Sequence, residues 1–121
     1  MRRQRGRVAA LSGRMAEEAV LRHYVLQGGD LLASRWKGAA GEIDLILRLD
    51  EEIVFVEVKA ARSHDEAALR LLPSQMQRIT RAACEFCEAR GWSLGVPMRF
   101  DAALVDGTGR VQVIPNAFGE M

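Results

Sequence analysis

Two carboxylates and one lysine stand out in this chain because strand geometry can bring them together. Glu57 and Lys59 lie two residues apart in one apolar run, and Asp44 lies in the apolar run before it. Residues i and i+2 of a strand share a face, so Glu57 and Lys59 point the same way. If the two runs form a hairpin that turns at Asp50-Glu51, Asp44 lies directly opposite Glu57, with the Cβ atoms about 4.5–5.5 Å apart. A shift of one residue would separate the acids onto different faces.

Such a group of charges can bind a divalent cation. Two carboxylates in contact repel each other, which raises the pKa of one of them or requires a cation. Mg²⁺, with Mn²⁺ as a substitute, suits the site because it takes one or two protein carboxylates, waters and substrate phosphate oxygens. The ion would polarise a phosphodiester, and Lys59 would orient a water or stabilise negative charge. Alternatively, the acids belong to a solvated sheet face and are only structural.

The patterns around these residues predict a sheet with helices. A helix is expected over residues 13–27, where apolar side chains recur on one face, and Gly28-Gly29 would end it. A short strand at 31–36 precedes the hairpin strands, which span 43–49 and 53–59. Both hairpin strands are apolar on both faces, which is typical of strands covered on two sides.

The second half of the chain predicts one long helix and two strands. Residues 62–72 are ambiguous, with a helical turn at 67–72 as one interpretation. Pro73-Ser74 indicates a helix start, and the helix runs to about Arg90. Strands follow at 98–105 and 111–114, separated by a turn. The predicted order is α-β-β-β-α-β-β, and its natural closure is an α/β fold with a mixed central sheet flanked by helices.

Cys84 and Cys87 form a C-x-x-C pair, which is typical of a redox site or half of a zinc site. A second pair is absent from the sequence, and neither His23 nor His64 lies at ligand spacing. Both cysteines fall inside the predicted long helix. We therefore interpret them as small apolar core residues.

Composition predicts a single domain over 13–121, because 121 residues with 49% apolar content suit one globular core. A transmembrane run and a signal-peptide core are both missing from the sequence, so a cytoplasmic protein without membrane contact is expected. The net charge is only +1, but residues 1–12 form a basic arm, expected to be flexible. Its arginines could pair with phosphates, or the arm could be a solvated tail. They are Arg2, Arg3, Arg5 and Arg7.

Five sequence blocks occur in order and at fitting spacings: GRMAE at 13–17, GEIDLI at 41–46, VFVEVK at 54–59, RFD at 99–101 and NAF at 116–118. Each block alone is a weak signal, whereas the ordered set is specific. Together they resemble the YraN-like family of uncharacterised bacterial proteins, within the PD-(D/E)xK nuclease superfamily. The resemblance covers the chain from about Gly13 to Phe118.

The resemblance implies a restriction-endonuclease-like core and assigns roles. Asp44 and Glu57 would be metal ligands together with the Val58 carbonyl, and Lys59 would be the catalytic lysine. Glu17 is implied as an accessory catalytic acid from the first helix. Without the resemblance, Glu17 would be interpreted as a solvent-facing helix residue.

Some positions depart from the family pattern in ways that concern phosphate binding. Gln75 stands where a lysine is expected at the start of the long helix. Ala61 stands where an arginine is usual, although Arg62 is adjacent, and Ser34-Arg35 replaces an Arg-Asn pair. Each change removes or moves a phosphate contact. We expect the nucleic-acid contacts at Arg14, Arg35, Lys37, Arg62, Gln75 and Arg78.

Three functions are compatible with these features. The first, which we favour, is a metal-dependent endonuclease that hydrolyses phosphodiesters in DNA, including branched or damaged structures, with a homodimer as one assembly to consider. The second is a nucleic-acid-binding module that cleaves little or not at all. The third is a scaffold in which the acids are structural. A fold alone does not decide among them.

Overall fold

The computed structural model describes residues 9–93 and 95–118. The four arginines of the basic arm lie outside this range. The described residues form an α/β fold whose single five-stranded sheet has the order β1-β2-β3-β4-β5. The elements are α1 Gly13–Leu26, β1 Asp30–Lys37, β2 Glu42–Leu49, β3 Glu52–Ala60, α2 His64–Ala68, α3 Pro73–Ala89, β4 Met98–Val105 and β5 Val111–Ile114.

The sheet is mixed, as predicted. Strands β1, β2 and β3 form an antiparallel meander, β3 pairs with β4 in parallel, and β4 pairs with β5 antiparallel. The parallel pair requires a crossover, which α2 and α3 supply. This arrangement confirms the predicted α/β class and is consistent with a restriction-endonuclease-like core.

The β2–β3 hairpin has the predicted register. Leu49 pairs with Glu52, Ile46 with Phe55 and Leu45 with Val56. The turn is tight because Asp50 adopts a left-handed conformation, with φ of 56°, which Asp tolerates better than most residues. The register that places Asp44 at the level of Glu57 is therefore confirmed.

Each face of the sheet is covered by a different helix, which explains why β2 and β3 are apolar on both sides. Helix α1 buries Ala16, Ala19, Val20 and Tyr24, and all but Ala19 belong to a core cluster that includes Leu45, Leu47, Val54 and Val56. Helix α3 packs on the opposite face, where its buried side chains meet Ile46, Phe55 and Phe100. The buried residues of α3 are Ile79, Ala82, Ala83, Phe86 and Cys87.

Cys87 is fully buried in this second core, and both cysteines are free thiols. Burial raises the pKa of the Cys87 thiol, so it stays protonated and packs as an apolar residue. This agrees with the interpretation of the pair as core residues.

The predicted order is wrong in one respect, because the crossover contains the additional short helix α2. Its five residues start at His64, earlier than the helical turn considered at 67–72. The Ser63 hydroxyl accepts a hydrogen bond from the Glu66 N–H at 3.1 Å and so caps the helix. Ala67 then packs against Ala61 and Leu104 in a small separate cluster. A helix this short has little apolar periodicity, which is why its pattern was ambiguous.

In the part of the chain that the structure describes, no helix combines the length and apolar character needed to cross a bilayer.

Candidate metal and catalytic site

Asp44, Glu57 and Lys59 meet where the β2–β3 ladder ends. The last pair of the ladder is Leu45 with Val56, so Asp44 and Glu57 occupy the next level. The Val58 N–H donates a hydrogen bond to Asp44 Oδ2 at 2.8 Å. Lys59 Nζ lies 3.2 Å from Glu57 Oε2, and both side chains are largely shielded from solvent. The structure thus brings together the three residues that strand alternation and the hairpin register predicted.

The environment of Asp44 disfavours its charged form. The pKa of the Asp44 carboxyl is raised from 3.8 to about 7, first by burial and then by the negative charge of Glu57. The hydrogen bond from Val58 and the positive charge of Lys59 oppose this shift without cancelling it. Both causes, desolvation and a neighbouring like charge, are those that functional sites commonly exploit.

Gln75 lies against the lysine of this cluster. With its amide oxygen directed at the lysine, that oxygen accepts from Lys59 Nζ at 3.1 Å and its nitrogen donates to the Arg70 carbonyl at 3.1 Å. The opposite orientation offers a bond from the Leu72 N–H at 3.3 Å. We assign the first orientation because it satisfies both ends of the amide. Gln75, predicted as a nucleic-acid contact, therefore packs directly on Lys59.

Glu17, on α1, is held by an arginine of β1. Arg35 Nε donates to Glu17 Oε1 at 2.8 Å, and this bond raises the pKa of the Arg35 guanidinium, with weaker contributions from Glu42 and Asp44. Among the described residues, no group of three or more acidic, histidine or cysteine side chains converges. The role of Glu17 as an accessory acid stays a prediction.

The backbone of Arg35 is strained at the level of Asp44. In the β1–β2 ladder, Ser34 pairs with Leu45 and Trp36 with Ile43, so Arg35 stands opposite Asp44. Its φ is 49°, a left-handed value that costs a non-glycine residue about 1–3 kcal/mol. Such strain is retained where the surroundings fix the conformation, and the Glu17 ion pair contributes to fixing it here.

A cavity of about 320 Å³ opens between α1 and β1 beside this ion pair. Arg14 and Arg35 line it together with Glu17 and Glu18, and Leu45 lies among its apolar walls. Two of the predicted nucleic-acid contacts, Arg14 and Arg35, therefore share one concave surface on the α1 side of the sheet.

The other predicted nucleic-acid contacts lie around the site without forming one group. Lys37 Nζ is 4.0 Å from Glu42 and strongly exposed. Arg62 forms an exposed ion pair with Glu66 at 2.8 Å, one helical turn away. Arg78 packs its aliphatic stem on Gly41, where an added Cβ would lie 3.3 Å from Arg78 Cγ and Cδ.

The loop that leads into β2 is fixed by a residue that the sequence did not single out. The two carboxylate oxygens of Glu85 accept hydrogen bonds from the Ala39 and Ala40 N–H groups, each at 2.9 Å. These bonds join the loop to α3 and so position the segment before Asp44. Glu85 lies on a helix flank rich in charges, and nothing in its local pattern distinguishes it from Glu88.

A buried carboxylate on β4 belongs to the RFD block at 99–101, but the sequence predicted no role for it. Asp101 is fully buried and accepts from Tyr24 Oη at 2.7 Å, from Arg99 Nε at 2.8 Å and from the Asn116 N–H at 2.9 Å. Burial and the bond to Asp101 raise the pKa of the Tyr24 phenol well above its usual range. The network ties α1 and the last loop to the sheet. The Arg-x-Asp spacing on a strand is the one local signal for it.

Comparison with known proteins identifies the family. The family profile described as "Uncharacterised protein family UPF0102" matches residues 16–105. A UPF0102 protein of Ruegeria pomeroyi is 50% identical over 115 residues, which cover 95% of this chain and 94% of the relative. A UPF0102 protein of Cereibacter sphaeroides (strain ATCC 17025) is 50% identical over 93% of this chain and 97% of its own. A UPF0102 protein of Roseobacter denitrificans is 46% identical over 95% of this chain and 89% of its own.

These matches confirm the resemblance to the YraN-like family, whereas membership of the wider nuclease superfamily stays a prediction. The profile spans the described site, from the first turns of α1 to the end of β4. The relatives match along nearly the whole of both chains, so the similarity is not confined to one motif. The chain therefore belongs to the uncharacterised protein family UPF0102.

Proposed function

We propose that this protein is a metal-dependent endonuclease that hydrolyses phosphodiester bonds in DNA. The observation that carries the proposal is the cluster of Asp44, Glu57 and Lys59 at the end of the β2–β3 ladder, with Lys59 Nζ 3.2 Å from Glu57. Placing two neighbouring acids and a lysine on a sheet covered by helices costs desolvation free energy, which binding of a ligand would offset. A divalent cation and a phosphate group together would use all three charges.

The residues present suit Mg²⁺, with Mn²⁺ as a substitute. Asp44 and Glu57, together with the Val58 carbonyl, would hold the ion, and two carboxylates match the way Mg²⁺ keeps waters and phosphate oxygens in its shell. Burial and then the negative charge of Glu57 raise the pKa of Asp44, and a bound cation would favour its charged form. When bound, the ion would polarise the phosphodiester and acidify a water.

The protein's own side chains would orient and stabilise the reacting groups. The Val58 N–H fixes one oxygen of Asp44, so that its other oxygen remains available as a ligand. Glu57 and Gln75 hold Lys59 Nζ from two sides. Lys59 would donate its remaining hydrogen to a phosphate oxygen or to the attacking water and stabilise the developing negative charge. Arg14 and Arg35, in the adjoining cavity, would bind flanking phosphates.

Calorimetric titration of Mn²⁺ and Mg²⁺ tests the site directly, because it does not require the substrate to be known. The wild type should bind Mn²⁺, and the Asp44→Asn, Glu57→Gln variant should not. The matched control is Asp50→Asn, Glu51→Gln, which makes the same charge change in the turn of the same hairpin and should bind as the wild type does. Absence of binding to the wild type, also with a short DNA present, would refute the metal site.

Cleavage is then measured on duplex, single-stranded and branched DNA with either ion. Lys59→Met should retain Mn²⁺ binding and lose about 10²–10⁴-fold in rate, which is the usual effect of removing a proton-transfer or charge-stabilising group. Branched DNA is the substrate we expect to be cleaved best. A preparation that binds Mn²⁺ but cuts none of these substrates would contradict the endonuclease proposal.

A second candidate function, a nucleic-acid-binding module that cleaves little, is favoured by one observation. Gln75, which stands where the resemblance expects a lysine, bonds to Lys59 and presents no positive charge of its own to a phosphate. In this case Asp44→Asn should leave DNA affinity unchanged, and cleavage should be absent in both proteins.

A further inference from the structure

The turn between α2 and α3 holds two leucines out into solvent. Leu69 is 80% exposed and Leu72 is 49% exposed. Leu71, between them, points the other way and packs on the small cluster around Ala67 and Leu104. The buried leucine therefore serves the fold, whereas the two outer ones have no partner among the described residues.

Backbone hydrogen bonds make this turn rigid. The Leu69 N–H donates to the Asp65 carbonyl at 3.3 Å, the Arg70 N–H to Ala67 at 3.0 Å and the Leu71 N–H to Ala68 at 3.1 Å. Arg70 Nη1 donates to the Ala60 carbonyl at 2.8 Å and fastens the turn to the end of β3. A preformed surface of this kind loses little conformational entropy when a ligand covers it.

The turn lies beside the proposed catalytic lysine. The amide of Gln75 bridges Lys59 Nζ and the Arg70 carbonyl, at 3.1 Å each. Ala60, whose carbonyl accepts from Arg70, is the next residue after Lys59. Only one side chain thus separates the lysine from the backbone of the turn that carries Leu69 and Leu72.

Arg70 lies in the turn between the exposed leucines, and Arg78 follows on α3. Arg70 and Arg78 are exposed, and neither forms a salt bridge within residues 9–93 and 95–118. Arg62 is also close by and forms an ion pair with Glu66. Apolar side chains between arginines match nucleic acid, which offers apolar base faces between phosphates. A surface that binds a protein partner would have no reason to lie beside a phosphodiester-cleaving site, as these leucines do.

We propose that Leu69 and Leu72 form a wedge that inserts between neighbouring bases of the DNA next to the scissile phosphate. Proteins insert leucine side chains in this way and unstack a base step, which costs free energy. That cost is smallest where stacking is already broken, so the substrate class is DNA with a branch point or mismatch rather than continuous duplex. This inference rests on the proposed function, because it takes its position from Lys59.

A branched DNA with 2-aminopurine at the branch point tests the wedge in metal-free buffer, where no cleavage interferes. The wild type should raise the 2-aminopurine fluorescence on binding, because this base brightens when it is unstacked. Leu69→Ser, Leu72→Ser should lose most of that rise and bind the branch about tenfold more weakly, with unchanged affinity for continuous duplex. Circular dichroism checks that the variant is folded, as we expect because both leucines are exposed.

The matched control is Leu26→Ser. Leu26 is 88% exposed at the end of α1, away from the lysine. Single exposed leucines are ordinary features of protein surfaces, so this variant should unstack and bind the branch as the wild type does. Equal loss in both variants would overturn the wedge, because the effect would then belong to any exposed leucine.

The remaining outcomes separate the wedge from the nuclease proposal. Fluorescence that rises in a protein that never cleaves would support the wedge and refute the endonuclease. Cleavage by a protein whose double leucine variant unstacks normally would refute the wedge alone. The wild type could instead dimerise in sedimentation while the Leu69→Ser, Leu72→Ser variant is monomeric and gives the same fluorescence rise as the wild type. That result would show that the leucines contact a second copy of the chain, and it would overturn the wedge. No DNA binding at all would refute both.

Discussion

Asp44 combines a fixed orientation with an unfavourable charge. The Val58 N–H holds one of its oxygens at 2.8 Å, yet burial and the neighbouring Glu57 raise its pKa to about 7. A carboxyl group serving only the fold would be expected to gain stability from its charge. Ionisation of Asp44 instead destabilises the folded protein, as expected for a cation ligand whose cation is not bound.

This condition predicts how stability depends on pH in metal-free buffer. The folded-state pKa of Asp44 lies above its ordinary 3.8, so between about pH 4 and 7 the folded chain keeps a proton that the unfolded chain has released. The wild type should therefore lose stability as pH rises through that window. Asp44→Asn cannot titrate and should be more stable than the wild type at pH 8, by on the order of a few kcal/mol. Urea unfolding at pH 4 to 8 measures both curves.

The control for this experiment is Asp50→Asn, because Asp50 is an exposed acid in the turn of the same hairpin. Its unfolding curve should follow that of the wild type at every pH. Adding Mn²⁺ at pH 8 should raise the stability of the wild type and leave Asp44→Asn unchanged, since only a ligand that binds the folded state stabilises it. A wild-type curve that rises from pH 4 to 7 would contradict the role of Asp44.

The hairpin and its acids could be predicted because local rules determine them. Side-chain alternation put Glu57 and Lys59 on one face, and the turn length fixed the register that brought Asp44 to Glu57. The partners of the predicted phosphate contacts come from other elements: Glu17 on α1 holds Arg35 on β1, and Gln75 on α3 meets Lys59 on β3. No local period encodes such pairs. The same reason hid the roles of Glu85 and Asp101, because Ala39 and Tyr24, to which they bond, lie on distant elements.

The loop before β2 provides a test of how α3 positions the site. Glu85→Ala removes the acceptor of the Ala39 and Ala40 N–H groups, and hydrogen bonds to charged groups contribute about 1.5–3 kcal/mol. Amide exchange in residues 38–41 should therefore accelerate about tenfold or more. Glu88→Ala, one turn further along the same helix and exposed, should leave exchange unchanged. Mn²⁺ affinity should fall in the first variant only, because the loop leads directly to Asp44.

The apolar packing of α1 on the sheet is supplemented by one buried hydrogen bond. Tyr24→Phe removes the donor to Asp101, while Arg99 and the Asn116 N–H continue to hold that carboxylate. We expect a loss of about 1.5–3 kcal/mol in the free energy of unfolding, measured in urea. Met15→Ala, on the exposed side of α1, should change it by about 0.5 kcal/mol or less. Equal effects of the two substitutions would show that packing of α1, rather than this bond, is what matters.

The distribution of charge along the entire chain affects how strongly it would be attracted to DNA. Of the 17 lysines and arginines, four lie among residues 2–7, which leaves 13 basic against 16 acidic side chains in the remainder. Several of those 13 are already paired, including Arg35 with Glu17 and Arg62 with Glu66. The rest of the chain therefore offers few free positive charges for phosphates, and long-range attraction to DNA should depend strongly on the basic arm.

Salt dependence of DNA binding distinguishes a phosphate-binding arm from a solvated tail. Replacing Arg2, Arg3, Arg5 and Arg7 by glutamine should lower the magnitude of the log–log salt slope by about 3–4, because each phosphate contact contributes roughly 0.9 on duplex DNA. Replacing the same four residues by lysine keeps the charge and should keep the slope. Fluorescence anisotropy at 50–200 mM salt measures both. Mn²⁺ binding should be equal in both variants, because the substitutions lie outside the metal site. A slope that survives the glutamine substitutions would assign the phosphate contacts to residues beyond the arm, such as Arg14, Arg35 and Arg78.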